Sequence, residues 1–231
     1  MGAIAYGKLN GSSLLLENPS NRYFTHLRLT QMPYSEFTLA KVKKYFDLTT
    51  SEDTDIFAAV PELESSEYLA ETLRYNVPLA LASNSEKARS EMIITPILIE
   101  VRKQLDSQFS LFSGIDFNVD AEKGLTGFCD YIISSSSERL FVSAPVMMLV
   151  KAKKEDIMAG LGQCVAEMVA AQIFNEREEN EISFIYGAVT SGTNWRFLKL
   201  EGKLVNIDLV EYYLTDVNKI LGILASGVGG S

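Results

Sequence analysis

The stretch Val146-Met147-Met148-Leu149-Val150-Lys151-Ala152-Lys153 constrains the fold more than any other part of this sequence. It opens on an unbroken apolar run with no alternation, the pattern of a strand covered on both faces, and it turns polar only at its end. Such a strand needs a layer packed on each side. Helices on both faces of a sheet supply this, so the sequence predicts an α/β arrangement with polar groups gathered where the buried strand ends.

Composition agrees. A chain of 231 residues that is 47% hydrophobic can fill one compact interior, and 12 Phe and 10 Tyr against 6 Pro argue against disorder. No apolar run reaches the roughly 18–20 residues that span a bilayer, so no membrane association is expected. Met1-Gly2-Ala3-Ile4-Ala5-Tyr6 lacks the basic and apolar regions of a secretion signal, and Tyr6 stands where a myristoylation signal needs Ser or Thr. Cys129 and Cys164 are too few for a disulfide framework or a cysteine-based zinc site. A cytoplasmic protein is expected. The net charge of −9 opposes nonspecific binding to nucleic acid. Only a local groove built from Lys41, Lys43, Lys44, Lys151, Lys153 and Lys154 would be basic, and a lysine run is ordinarily a solvated face.

Residues 1–85 are irregular and rich in Ser, Asn and Thr. Within them Thr38–Leu48 and Glu64–Arg74 read as short amphipathic helices, with Asn76-Val77-Pro78 and Ala82-Ser83-Asn84 as breaks. They form an N-terminal helical elaboration packed on a core of residues 86–231. From Ser85 to Leu105 a helix is predicted by Met92, Ile93, Ile97, Val101 and Leu105; Pro96 kinks it or opens a second segment after Thr95. Extended runs follow at Phe109–Val119, Gly124–Ser134 and Arg139–Lys153, with Ser134–Ser137 as a hairpin turn and Pro145 dividing the third run. Asp156 caps a helix to about Asn175. Strands at Ile182–Val189, Trp195–Leu200 and Val205–Leu209 and a closing helix at about Glu211–Ala225 complete a central mixed β-sheet flanked by helices.

Few residues suggest chemistry. His26 is the sole histidine, and without a Gly-x-Ser-x-Gly signature it has no triad to serve. Gly160-Leu161-Gly162 opens a helix, but Val165 fills the third glycine position of a dinucleotide fingerprint; close helix–sheet packing explains both glycines better. Asp130 is harder to dismiss, because it lies inside the apolar strand Gly127-Phe128-Cys129-Asp130-Tyr131-Ile132-Ile133. A charge there is costly unless it is paired or holds a cation. Lys151 and Lys153 share one face of the next long strand. An Asp–Lys salt bridge with a purely structural role is the competing reading.

The order of these elements resembles the PD-(D/E)XK nuclease superfamily, the restriction-endonuclease-like fold, and its uncharacterised cyanobacterial-type members. The resemblance spans about Glu91 to Leu200. It rests on the helix carrying Glu100, on Leu125–Tyr131, on Val150-Lys151-Ala152-Lys153-Lys154, and on the helix start Gly160–Met168. It implies that Asp130 is a Mg²⁺ ligand, that the Ala152 carbonyl is a second, that Lys153 is the catalytic lysine, that Gln163 supports it, and that Glu100 is the helix acid. It also implies DNA as the substrate. In such a site the ion spreads phosphate charge and lowers the pKa of a bound water.

Lys151 stands where the motif has its acid. A protonated lysine cannot ligate Mg²⁺, and it repels the ion by several kcal/mol at intermediate dielectric. Two readings follow. In one the chain is a metal-dependent nuclease in which Glu100, Glu167 or a migrated acid supplies the missing ligand. In the other Lys151 neutralises Asp130, and the fold serves binding or assembly, for which a homodimer is the expected form. Two carboxylates converging on Asp130 favour the first; an ammonium within about 3 Å of Asp130 favours the second.

Overall fold

The computed structural model describes residues 33–180 and 182–229. Met1–Tyr6 and His26 lie outside the described residues. The secondary structure runs α1 (Leu39–Phe46), β1 (Thr49–Ser51), α2 (Glu67–Ser83), α3 (Glu86–Arg89), a π turn (Ser90–Ile94), α4 (Thr95–Gln104), β2 (Ser110–Asp116), β3 (Phe128–Ser134), β4 (Val146–Ala152), α5 (Leu161–Arg177), β5 (Ile185–Thr190), β6 (Asn194–Glu201), β7 (Leu204–Ile207), β8 (Tyr212–Tyr213) and α6 (Val217–Gly229). The strands form one mixed sheet in the order β1-β7-β6-β5-β4-β3-β2, with β8 on β6. β4 pairs parallel with β5, and β1 with β7; the other neighbours are antiparallel. The molecule is therefore α/β.

β4 is an interior strand, between β5 and β3, and every one of its residues is buried, as its apolar run requires. One face of the sheet packs on α5 and α1, where Leu149, Leu198 and Val189 meet Leu161, Val165, Met168 and Val42. The other face packs on α2, the π turn, α4 and α6, with Tyr131, Val150 and Phe197 against Leu69, Ile94, Leu98 and Leu221. α5 is buried from Leu161 through Ala171 because α1 closes its outer side. A methyl group on Gly162 would lie 2.3 Å from the Thr38 backbone, so only glycine lets the start of α1 sit on α5.

Several elements match the sequence pattern closely. Thr38 caps α1, and Asp156 accepts from the Ala159 amide at 3.1 Å in the turn leading into α5. Pro96 lies in the first turn of α4, immediately after the π turn, so the missing proline donor coincides with the break in the helical ladder. Asn84 closes α2 in a left-handed conformation.

Other expectations are corrected. Asn76-Val77-Pro78 is not a break: α2 runs through Pro78, held by Leu69, Leu73 and Ala80 in the core and by the Asn76 side-chain amide donating to Met92 O at 2.9 Å. The span 135–145 between β3 and β4 is a long connection, and Arg139–Ala144 is not a strand. β1 and β8 join the sheet where no strand was expected, and the closing helix starts at Val217 because β8 and a short 3₁₀ turn occupy the residues before it. Residues 33–85 contribute a strand to the sheet and a helix to each of its faces.

Candidate functional site

The site is built at the start of β3 and the end of β4. These strands pair antiparallel with Tyr131 opposite Val150, so the next pair along the ladder is Asp130 with Lys151. The Lys151 ammonium lies 2.7 Å from Asp130 Oδ2, and the Ala152 amide donates to the same oxygen at 2.7 Å. Lys151 is 6% exposed, whereas the Asp130 side chain keeps 24% of its surface. The carboxylate thus faces out of the sheet and the ammonium lies behind it.

Behind Lys151 is a second acid. Glu167 on α5 is fully buried; its Oε1 accepts from the Gln163 side chain at 3.1 Å, and its Oε2 has no partner. Burial, opposed by Lys151, pushes the Glu167 carboxyl up to about 8. Burial pulls the Lys151 ammonium down, but Glu167 and Asp130 outweigh it and its pKa is raised overall. At neutral pH the cluster therefore holds a charged Lys151 against Asp130, with a proton on Glu167. The Lys153 ammonium reaches Gln163 Oε1 at 3.5 Å, and its stem runs past Gly160, where a methyl group would lie 3.1 Å from the lysine carbons. Lys153, Gln163 and Glu167 form one chain of contacts, leading toward Lys151.

On the outer side Asp130 lines a cleft of about 240 Å³ with Ala152, Ser113, Gly114, Glu86, Lys87, Ser90 and Glu91. Tyr131 fixes its wall. The phenol donates to Ser90 O at 2.9 Å and also meets the hydroxyls of Ser90 and Thr95, so the strand that carries Asp130 is tied to the π turn. Lys87 and Glu91 are ion-paired at 2.6 Å across this rim.

The structure brings Asp130, Lys151 and Ala152 together, and joins Lys153 to Gln163. Glu100 lies elsewhere. It is buried beneath the start of α2, where it accepts from the Ser66 amide at 3.0 Å and from Gln104 at 2.7 Å. Burial raises its pKa, but these hydrogen bonds prevail and hold it below the usual glutamate value. Ala152 meets Asp130 through its amide, not its carbonyl. Glu86 and Glu91, which sequence reasoning passed over, face the cleft instead; their signal was the run Glu86–Glu91 directly upstream of the proline break.

Among the described residues, no three His, Cys, Asp or Glu side chains are grouped to hold a metal ion. As placed, the residues do not fit Mg²⁺, because an ammonium already occupies the inner face of Asp130. What the arrangement does offer is a fixed internal ion pair beneath an acidic cleft. Comparison with protein-family models, curated proteins and solved structures gave no match to this chain.

Proposed function

We propose that this chain is a restriction-endonuclease-like protein in which an internal ion pair replaces the metal centre, and that it works as a binding or assembly module rather than by cleaving phosphodiesters. The observation that carries this reading is the Lys151 ammonium 2.7 Å from Asp130 Oδ2. A lysine there supplies positive charge but no open coordination position for water or phosphate. A divalent ion about 4 Å from that ammonium would meet repulsion of about 8 kcal/mol at an effective dielectric of 20. The fold half of the reading is supported by the succession of helix, three antiparallel strands, helix and parallel strand in one sheet, with Asp130 on the second of these strands and Lys151 to Lys153 at the end of the third.

One observation favours a second reading, a Mg²⁺-dependent DNA nuclease. Glu86 and Glu91 line the cleft that Asp130 opens into, so acids other than Glu100 are near the expected metal position. A cleavage assay on duplex and single-stranded DNA with Mg²⁺ or Mn²⁺ separates the two, using wild type, Lys151→Glu and Asp130→Asn. The binding reading expects no cleavage by wild type or Asp130→Asn, and cleavage at most with Lys151→Glu. Wild-type cleavage that Asp130→Asn abolishes would overturn it and establish the nuclease.

A further inference from the structure

α2 carries two apolar faces. Leu69, Leu73 and Ala80 enter the core, while Tyr68, Tyr75 and Leu79 stand 70%, 66% and 60% exposed. Spacings of seven and four residues place these three on one side of the helix, with Thr72 between them. α4 extends the face. Lys103 lies over the Tyr68 ring at 5.9 Å and Met92 O accepts from Asn76 at 2.9 Å, so the two segments run antiparallel and half-exposed Ile99 borders the stripe. Arg74 lies over Tyr75 at 5.5 Å. Contiguous exposed tyrosines with an arginine have the composition of an interface core, not of an ordinary wet surface.

We infer that this face of α2 is a two-fold interface between two copies of this chain. The stripe complements itself. Tyr68, Thr72, Tyr75 and Leu79 recur at i, i+4, i+7 and i+11, so an antiparallel helix pair centred between Thr72 and Tyr75 sets Tyr68 against the partner's Leu79 and Thr72 against the partner's Tyr75. In an antiparallel pair each flank meets the same flank of the other helix. Glu71 and Arg74 share one flank and are paired within the helix at 3.6 Å, so each also finds its opposite charge across the two-fold. A symmetric pair is the assembly this pattern fits, since a self-complementary patch makes a closed, isologous contact. Charge points the same way. A chain of net charge −9 repels its own copy over most of its surface, whereas this face balances Glu67 and Glu71 against Arg74 and Lys103. The same two glutamates oppose a phosphate backbone. The inference stands on α2 and α4 alone and does not depend on how the Asp130 site is read.

Sedimentation equilibrium of the full chain through a micromolar dilution series tests it. Wild type should be dimeric. Tyr75→Glu should weaken dimerisation by about 30-fold or more, the loss expected for a central aromatic anchor. Circular dichroism should show the variant folded, because Tyr75 is exposed. Glu71→Arg and Arg74→Glu should each weaken the dimer, while an equimolar mixture of the two should restore it as a heterodimer. A monomeric wild type overturns the proposal and leaves the face to some other occupant. A dimer indifferent to Tyr75→Glu and to the charge exchange overturns it equally.

Discussion

Replacing Lys151 with Met retains most of the buried stem but removes the ammonium, leaving Asp130 with the Ala152 amide as its hydrogen-bond donor. Breaking a buried ion pair by deleting one partner costs about 3–5 kcal/mol. Asp130 keeps about a quarter of its surface and its amide bond, which moves the expected loss to the low end, about 3 kcal/mol. Asp130→Asn should cost less, about 1–2 kcal/mol, because removing the Asp130 charge lets Glu167 give up its proton more readily and serve Lys151 as counter-charge. The double variant should lie within about 1 kcal/mol of Asp130→Asn, giving a coupling energy of about 2 kcal/mol or more. Urea unfolding at constant slope reads all four corners of the cycle. Additive losses, or a Lys151→Met variant within about 0.5 kcal/mol of wild type, would refute the view that this pair holds the two strand ends together.

Two more outcomes follow from the buried acids Glu167 and Glu100. Glu167 keeps its proton in the fold up to pH about 8 but loses it in the unfolded chain in the ordinary glutamate range, so the folded state binds more protons between those values. Stability should fall with rising pH across that window, by up to about 1.4 kcal/mol per pH unit from this group, and level off above it. Glu167→Gln should flatten the slope in pH-dependent melts; an unchanged slope would show that Glu167 is not its source. Glu100→Ala should destabilise the chain by about 1 kcal/mol through lost bonds at the start of α2, and should leave any cleavage activity unchanged. A loss of cleavage without a loss of stability would return Glu100 to the site.

The strands and helices of the core were legible because their patterns are local: an apolar run for β4, helical spacing for α4 and α5, a capping threonine before α1. β1 was not, since Thr49–Ser51 has no apolar pattern and exists through its pairing with distant Leu204–Asn206. Pro78 reads as a break, but tertiary packing carries α2 through it. In the site, Asp130 and Lys151 could be named from sequence, but not the 2.7 Å between them. That distance depends on a register that shifts between Ile133 and Ser134 at the end of a long connection. The expectation for Glu100 rests on the family resemblance, and its actual partners, Ser66 and Gln104, carry no motif that would reveal them. The π turn at Ser90–Ile94 inserts an extra residue into the helical ladder, so side chains on either side of it cannot be placed by one continuous period.

Tyr131 joins that turn to β3 through three oxygen partners, Ser90 O and the hydroxyls of Ser90 and Thr95. The Glu86–Glu91 rim and the Asp130 strand are thereby tied to each other by hydrogen bonds through a single phenol. The two walls of the cleft are thus joined through one side chain, with Glu86, Lys87 and Glu91 at its rim.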